Sequence, residues 1–201
     1  MTHLSKILII YYSSNGSTKA MAEEIAKGVV STQAQFIIRT VPKVCAINEK
    51  QISIPDEGAP FVTAQDIEEC DGLIIGSPTR FGNMAAPIKY FIDSLGAQWY
   101  NGSLIGKPAA VFTSTASMHG GQETTLLTMM LPLLHLGAIL VGIPYKHGSL
   151  SSTRSGGTPY GASHWSGPDG SEPFTKEEQD LCFELGKRVA NVSLRLKGNF
   201  V

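Results

Sequence analysis

The sequence has few cysteines and no excess of either charge. Its three cysteines, Cys45, Cys70 and Cys182, lie far apart without a CxxC pair, so we predict neither a metal site nor a disulfide framework. Reduced thiols are typical of cytoplasmic proteins, and the pattern predicts that location. The 16 basic and 17 acidic residues leave a net charge of −1, which gives no electrostatic basis for binding nucleic acid.

Long apolar runs are also missing. No run approaches the roughly 20 residues that span a bilayer. The N-terminus leads straight into a strand pattern and lacks the charged, apolar and small-residue regions of a signal peptide. We therefore expect no membrane insertion.

What the sequence does contain is the pattern of one globular domain over residues 1–201. The hydrophobic fraction of 42% and the charged fraction of 16% are ordinary. Apolar, β-branched runs alternate with helical patterns, which predicts an α/β fold with a doubly wound parallel sheet and helices on both faces. Five strands are predicted, over residues 6–12, 35–41, 72–77, 109–114 and 138–143.

The helical patterns between these runs fix the connections. Helices are predicted over residues 18–30, 87–96, 122–136 and 175–196. The last begins with Thr175 and Glu178 spaced as in a capping box.

Before this last helix lies a long segment, 146–173, rich in Gly, Ser and Thr. A loop of that length in a compact domain is either functional or a linker, and no second core follows it. We interpret it as a functional insertion before the last helix.

The first candidate loop follows the first strand and opens the first helix. Hydroxyls, a glycine and the N–H groups of a helix N-terminus form an anion cradle. The lysine of a nucleoside-triphosphate loop is absent, so the loop suits one phosphate monoester held by hydrogen bonds and the helix dipole. An ordinary capped turn is the alternative. Its residues are Ser13, Ser14, Asn15, Gly16, Ser17 and Thr18.

The second candidate loop follows the third strand. It combines backbone N–H groups, one aromatic ring and one guanidinium, a set that suits a flat ring with polar edges, such as a flavin. A surface ion pair for Arg80 and a place in the core for Phe81 are the alternatives. Its residues are Pro78, Thr79, Arg80, Phe81, Gly82, Asn83 and Met84.

The third candidate loop follows the fourth strand and has no apolar periodicity. Its small residues let a ring lie against the backbone. Three loops at the carboxyl ends of parallel strands mark the crevice where open α/β sheets bind ligands. Its residues are Ser114, Thr115, Ala116, Ser117, Met118, His119, Gly120 and Gly121.

The helix after this loop, 122–136, is apolar nearly all round. Such a helix is buried on more than one side, which predicts a subunit contact. Pro132 is expected to kink it or to shift its turns. His135 lies near its end, either as a core residue or facing the crevice, where a histidine could serve the chemistry.

These motifs resemble the WrbA-type NAD(P)H:quinone oxidoreductases, a flavodoxin-like family, from Ile7 to about Leu196. The most specific pieces are the segment SPTRFGNM at 77–84, GGQET at 120–124 and GGTPYGA at 156–162. The last lies in the long insertion and is absent from simple flavodoxins.

The resemblance implies a role for each loop. Residues 13–18 would hold the FMN phosphate, Thr79, Arg80 and Phe81 would contact the ring, and 114–121 would line its other edge. His135 would reach the flavin from a neighbouring subunit or across the pocket, and Trp99 would form part of the substrate cavity, close to the ring. The family is typically tetrameric, with active sites completed by adjacent subunits.

Two departures from the family pattern concern cofactor contacts. The phosphate loop of the family often carries a tyrosine associated with nicotinamide binding, and here that position is Asn15. The third loop is longer than in some members, with Met118 and His119 before the double glycine.

The sequence therefore predicts FMN-dependent two-electron reduction of quinones by NADH or NADPH. Hydride would pass through flavin N5 in ping-pong fashion. Arg80 and His135 would be the catalytic residues that stabilise negative charge. A flavodoxin-type electron carrier without quinone reductase activity is the alternative, although such carriers are usually strongly acidic.

Overall fold

A computed structural model describes residues 4–46 and 54–197. All the predicted site residues fall within these ranges. Strands and helices alternate along the chain, and short helices fill several connections. The elements are β1 (Lys6–Tyr11), α1 (Ser17–Val30), β2 (Gln35–Thr40), α2 (Ala64–Glu69), β3 (Gly72–Arg80), β4 (Asn83–Met84), α3 (Ala86–Asp93), α4 (Gly96–Tyr100), β5 (Pro108–Thr115), α5 (Gln122–His135), β6 (Ile139–Leu140), α6 (Gly148–Ser152), β7 (Ala162–Trp165) and α7 (Lys176–Leu196).

The main sheet is parallel, in the order β2-β1-β3-β5-β6. This order reverses direction between β1 and β3, which is the switch point of a doubly wound sheet. The predicted fold class is confirmed. Side chains of β1 alternate between two cores: Ile7 and Ile9 pack under α1 and α7, while Leu8 and Ile10 pack on the opposite face. Burial on both faces explains why the strand reads as a continuous apolar run.

The fifth strand differs from the prediction. Only Ile139–Leu140 pairs there, with the first residues of β5. The chain then leaves the sheet and returns as β7, which pairs in parallel with Phe112–Thr115 further along β5. The long insertion thus interrupts the fifth strand position instead of following it, and the predicted loop 146–173 contains both α6 and β7.

Helix α5 runs without interruption through Pro132. One face, including Leu126, Met129 and Leu133, is buried in the core. A second stripe of Leu127, Leu131 and Leu134 is exposed. The spacing of this stripe places its members on one side of the helix. No helix in the described part of the chain is long and apolar enough to cross a membrane.

Candidate functional site

The first segment of the site is the turn between β1 and α1. Gly16 caps α1 with a left-handed φ of 94°, and no side chain caps this end of the helix. The Gly16 N–H donates to Ser13 Oγ at 3.0 Å. The first N–H groups of a helix have no partner within it, and the first turn of α1 carries no acidic residue. This end of α1 is therefore suited to an anion.

The second segment is a β-hairpin rather than the loop predicted. Strand β3 continues to Arg80 and pairs antiparallel with β4, Thr79 opposite Met84 and Arg80 opposite Asn83. The two turn residues have positive φ, 54° at Phe81 and 75° at Gly82, as in the type I′ turn that matches strand twist. Among the described residues Phe81 is the only non-glycine with positive φ.

The side chain of Phe81 is fully exposed at the tip of this hairpin. The alternative of a core position for Phe81 is therefore wrong. An aromatic side chain in the left-handed region is unfavourable by about 1–3 kcal/mol. Such strain at an exposed position is a common mark of a functional site.

The third segment closes against this hairpin. Ser114 and Thr115 end β5 and are buried, whereas residues 116–119 are exposed. Gly121, with a φ of 89°, comes so close to the turn that a Cβ there would lie 2.8 Å from Gly82 Cα. Thr79 Oγ1 lies 2.8 Å from Thr125 Oγ1 on α5. Glycine at 121 thus allows the hairpin and the third segment to touch backbone to backbone.

The three segments enclose a cavity of about 130 Å³ at the switch point. The guanidinium of Arg80 spans it, because Nη2 donates to Ser14 Oγ at 2.8 Å and Nη1 to Thr79 O at 2.8 Å. This volume is small beside the roughly 300–1,000 Å³ of typical ligand pockets, so a larger ligand would extend past the rim. The lining residues are Ser13, Ser14, Asn15, Ser17, Thr18, Pro78, Thr79, Arg80, Ser114, Ala116 and Ser166.

Ten of the predicted cofactor residues line this cavity. Ten others lie in the same three segments without lining it, and His135 lies elsewhere. Those ten are Gly16, Phe81, Gly82, Asn83, Thr115, Ser117, Met118, His119, Gly120 and Gly121.

Two predicted residues lie at the opposite edge of the sheet. His135 ends α5, whose 14 residues at 1.5 Å each put about 20 Å between it and the cavity end of the helix. Trp99 is in α4, beside Gln98, which donates to Glu68 of α2 at 3.2 Å. The loop after Trp99 meets the end of α5, where Gly106 N–H donates to Gly137 O at 2.9 Å.

Within one chain, therefore, His135 does not reach across the pocket and Trp99 does not lie beside it. His135 is exposed, and Trp99 keeps 60% of its surface exposed. Contact with the cavity of another copy is the remaining way for either residue to reach a flavin.

Sequence reasoning missed the residues that hold the third segment from behind. Ser166 lines the cavity, and Trp165 Nε1 donates to Ala116 O at 3.1 Å. Both belong to the insertion, whose return to the sheet beside β5 has no local signal. The capping box of α7 was predicted, and Thr175 and Glu178 form it, but its link to β7 was not.

A larger cavity of about 450 Å³ borders the first segment from the side of β2. It shares only Ser13 with the smaller one. Tyr11, Tyr12 and Phe61 form much of its wall. The smaller cavity has the denser set of hydroxyl and N–H donors, so it is the candidate anion site.

A doubly wound sheet with an anion cradle after β1 and two facing segments after β3 and β5 defines a flavodoxin-like nucleotide-binding protein. The profile of the NADPH-dependent FMN reductase family matches residues 5–148. The chain belongs to this family, and the resemblance read from its motifs is confirmed.

Similarity to individual proteins extends over nearly the whole chain. An NAD(P)H dehydrogenase (quinone) from Gluconacetobacter diazotrophicus is 41% identical over 197 residues, covering 96% of this chain and 99% of the relative. The crystal structure of a flavodoxin, WrbA-like protein from Agrobacterium tumefaciens superposes with a TM-score of 0.66 at 22% identity, covering 95% and 98%. Oxidised flavodoxin 1 from Bacillus cereus gives 0.60 at 20%, covering 93% and 98%. At these identities the two structures support the fold alone.

Proposed function

We propose that this oxidoreductase binds FMN at the switch-point cavity and uses NADH or NADPH to reduce quinones. The observation that carries the proposal is the meeting of three segments around one cavity: an uncapped helix N-terminus, a strained hairpin and a small-residue loop. Membership of the FMN reductase family and the 41% identical quinone dehydrogenase support the same activity.

The residues present fit the phosphate end of FMN. Ser13, Ser14, Ser17 and Thr18 supply hydroxyls to the cavity, and α1 directs its N-terminal dipole into it. A phosphate monoester needs several hydrogen-bond donors and little net positive charge when a helix dipole assists. This cavity, with Arg80 as its one cationic lining residue, meets that need.

The isoalloxazine ring would lie past the rim, since the cavity is too small for a whole FMN. The hairpin and the third segment offer backbone groups on either side of that position. FMN held there would supply the redox chemistry, a two-electron transfer from NADH or NADPH to quinones with hydride passing through N5 in ping-pong fashion. Arg80 would stabilise negative charge that develops beside the ring, and Phe81 would provide an apolar wall for flat substrates.

A second copy of the chain would complete the site. The cavity is open, and His135 and Trp99 lie at the other edge of the sheet. Beside His135 the stripe of Leu127, Leu131 and Leu134 is exposed. A homotetramer in which this apolar face packs beside the cavity of a neighbouring copy would bury the stripe and bring both residues to that copy's flavin.

An absorption spectrum followed by anaerobic titration tests the function. Purified protein should show flavin bands that bleach on addition of NADH or NADPH and return on addition of benzoquinone. Flavin bands that do not bleach with either NADH or NADPH would favour the electron-carrier alternative. Failure to retain FMN after incubation would overturn the cavity assignment.

A further inference from the structure

A buried carboxylate behind the candidate FMN site accepts hydrogen bonds from three separate parts of the chain. Glu178 is fully buried on α7. Its Oε1 accepts from Gly156 N–H at 2.8 Å and from Trp165 N–H at 3.0 Å. Its Oε2 accepts from Thr175 N–H at 3.0 Å and lies 2.9 Å from His164 Nδ1. A helix cap needs only the Thr175 bond, so the other three contacts call for a further explanation.

The partner His164 is held as firmly as the carboxylate. It is 1% exposed, and Phe174 stacks on its ring with centroids 4.1 Å apart. Burial acts to raise the pKa of Glu178, but the hydrogen bonds from His164, Trp165 and Thr175 outweigh it and lower that pKa. The carboxylate is therefore charged at neutral pH, and its hydrogen bonds are strengthened by that charge.

Strand β7, which this carboxylate anchors, in turn holds the third segment. Trp165 Nε1 donates to Ala116 O at 3.1 Å. Ser166 donates to Thr115 O from its N–H at 2.9 Å and from its hydroxyl at 3.1 Å. Residues 116–119 are exposed and have little packing of their own. These bonds from the end of β7 and the residue after it thus fix the backbone of the cavity wall.

We propose that Glu178, paired with His164, is a positioning residue for FMN binding: it fixes β7, and β7 holds residues 114–116 in the arrangement that accepts the cofactor. One residue, Trp165, joins the two halves of this path, because its N–H bonds Glu178 and its ring bonds Ala116. The inference rests on the proposed FMN site.

The chain contains a matched control. Asp66 is the corresponding capping-box carboxylate of α2, buried, bonded to Thr63 and paired with Arg39 Nε at 2.9 Å. Neither cavity is lined by these three residues. Substituting Asp66 removes a comparable cap without touching the path to the site.

The test compares FMN dissociation from the loaded full-length wild type, Glu178→Gln, Trp165→Phe and Asp66→Asn. Recovery of flavin fluorescence after dilution gives the rate, and visible circular dichroism of bound FMN reports the ring environment. We expect about tenfold faster release from Glu178→Gln, the effect of one charge-assisted hydrogen bond. A smaller acceleration is expected from Trp165→Phe and none from Asp66→Asn, and the dichroism should change in the first two variants only.

Equal release rates and unchanged dichroism in Glu178→Gln and Trp165→Phe would overturn the inference. If Glu178→Gln does not fold, the Trp165→Phe variant tests the inference, since its partly exposed side chain loses one hydrogen bond and keeps an aromatic ring. A wild type that retains no FMN would instead overturn the proposed function itself.

Discussion

The two edges of the parallel sheet carry opposite kinds of surface. At the carboxyl edge, hydroxyls, helix N–H groups and Arg80 surround a small open cavity. At the amino edge, the side chains of Trp99, Leu131 and His135 are exposed. The two surfaces do not meet within one chain, because they lie at opposite edges of the sheet. Under the proposed function, the cavity of one copy would be completed by the apolar edge of another.

The largest expected effect comes from removing hydroxyls at the polar, carboxyl edge of the sheet. Ser13→Leu combined with Ser17→Leu removes two hydroxyls from the cavity, and both positions are partly exposed, so the fold is retained. Loss of two hydrogen bonds to a charged group, at about 1.5 kcal/mol or more each, should weaken FMN binding by about 100-fold or more. Titration of the apoprotein with FMN measures this. Unchanged affinity would contradict the phosphate assignment, and the same positions changed to Thr serve as the control.

Adding charge to the apolar, amino edge of the sheet should leave FMN bound and dissociate the copies from one another. Leu131→Glu with Leu134→Glu adds charge to the exposed stripe of α5, where burial of unpaired carboxylates is unfavourable. Light scattering should show a smaller assembly, and quinone reduction should fall about tenfold or more, because the site depends on a neighbour. Full activity in a dissociated protein would refute the shared site. Glu123→Gln, on the same helix, is the control.

A single substitution at the amino edge of the sheet should affect quinone binding alone. Trp99→Ala removes an exposed ring, and loss of aromatic contact with a flat quinone should raise KM by about threefold to tenfold. The FMN dissociation rate should not change. If Trp99→Ala releases FMN, then Trp99 has a structural role.

Lowering the pH should reduce the stability that Glu178 contributes, which is the smallest of the expected effects. The pKa of Glu178 is lowered in the folded protein by its hydrogen bonds despite burial, so the unfolded chain binds more protons as pH falls. The stabilisation is complete above the ordinary value of 4.5 and is lost as pH falls through the lowered one. Melting curves between pH 6 and about pH 3 should show a wild-type advantage over Glu178→Gln that shrinks toward acid. A constant advantage would mean that the carboxylate titrates normally.

Much of the fold could be predicted because the pattern is local. The β1 run and the helix spacing encode two-sided burial directly. The split fifth strand could not be predicted, since residues 138–143 form a plausible strand and nothing near Ala162 shows that it pairs with Phe112. The hairpin was missed because Phe-Gly is not a usual type I′ turn sequence.

The candidate site likewise has a part that could be predicted from sequence and a part that could not. The cradle and the third segment could be predicted because strand ends and helix starts are visible in sequence. The roles of Trp165, Ser166 and Glu178 arise from contacts between distant segments, and a capping box alone does not reveal them. The tetramer, the cytoplasmic location and the single-domain organisation stay predictions.

Mixing two defective chains tests the shared site most directly. One chain carries Ser13→Leu with Ser17→Leu and cannot hold FMN; the other carries Trp99→Ala with His135→Ala and holds FMN without its neighbour's side chains. After co-refolding, the account predicts quinone reductase activity in the mixture well above the sum of the two variants alone. Activity no greater than that sum, in assemblies shown to contain both chains, would contradict it.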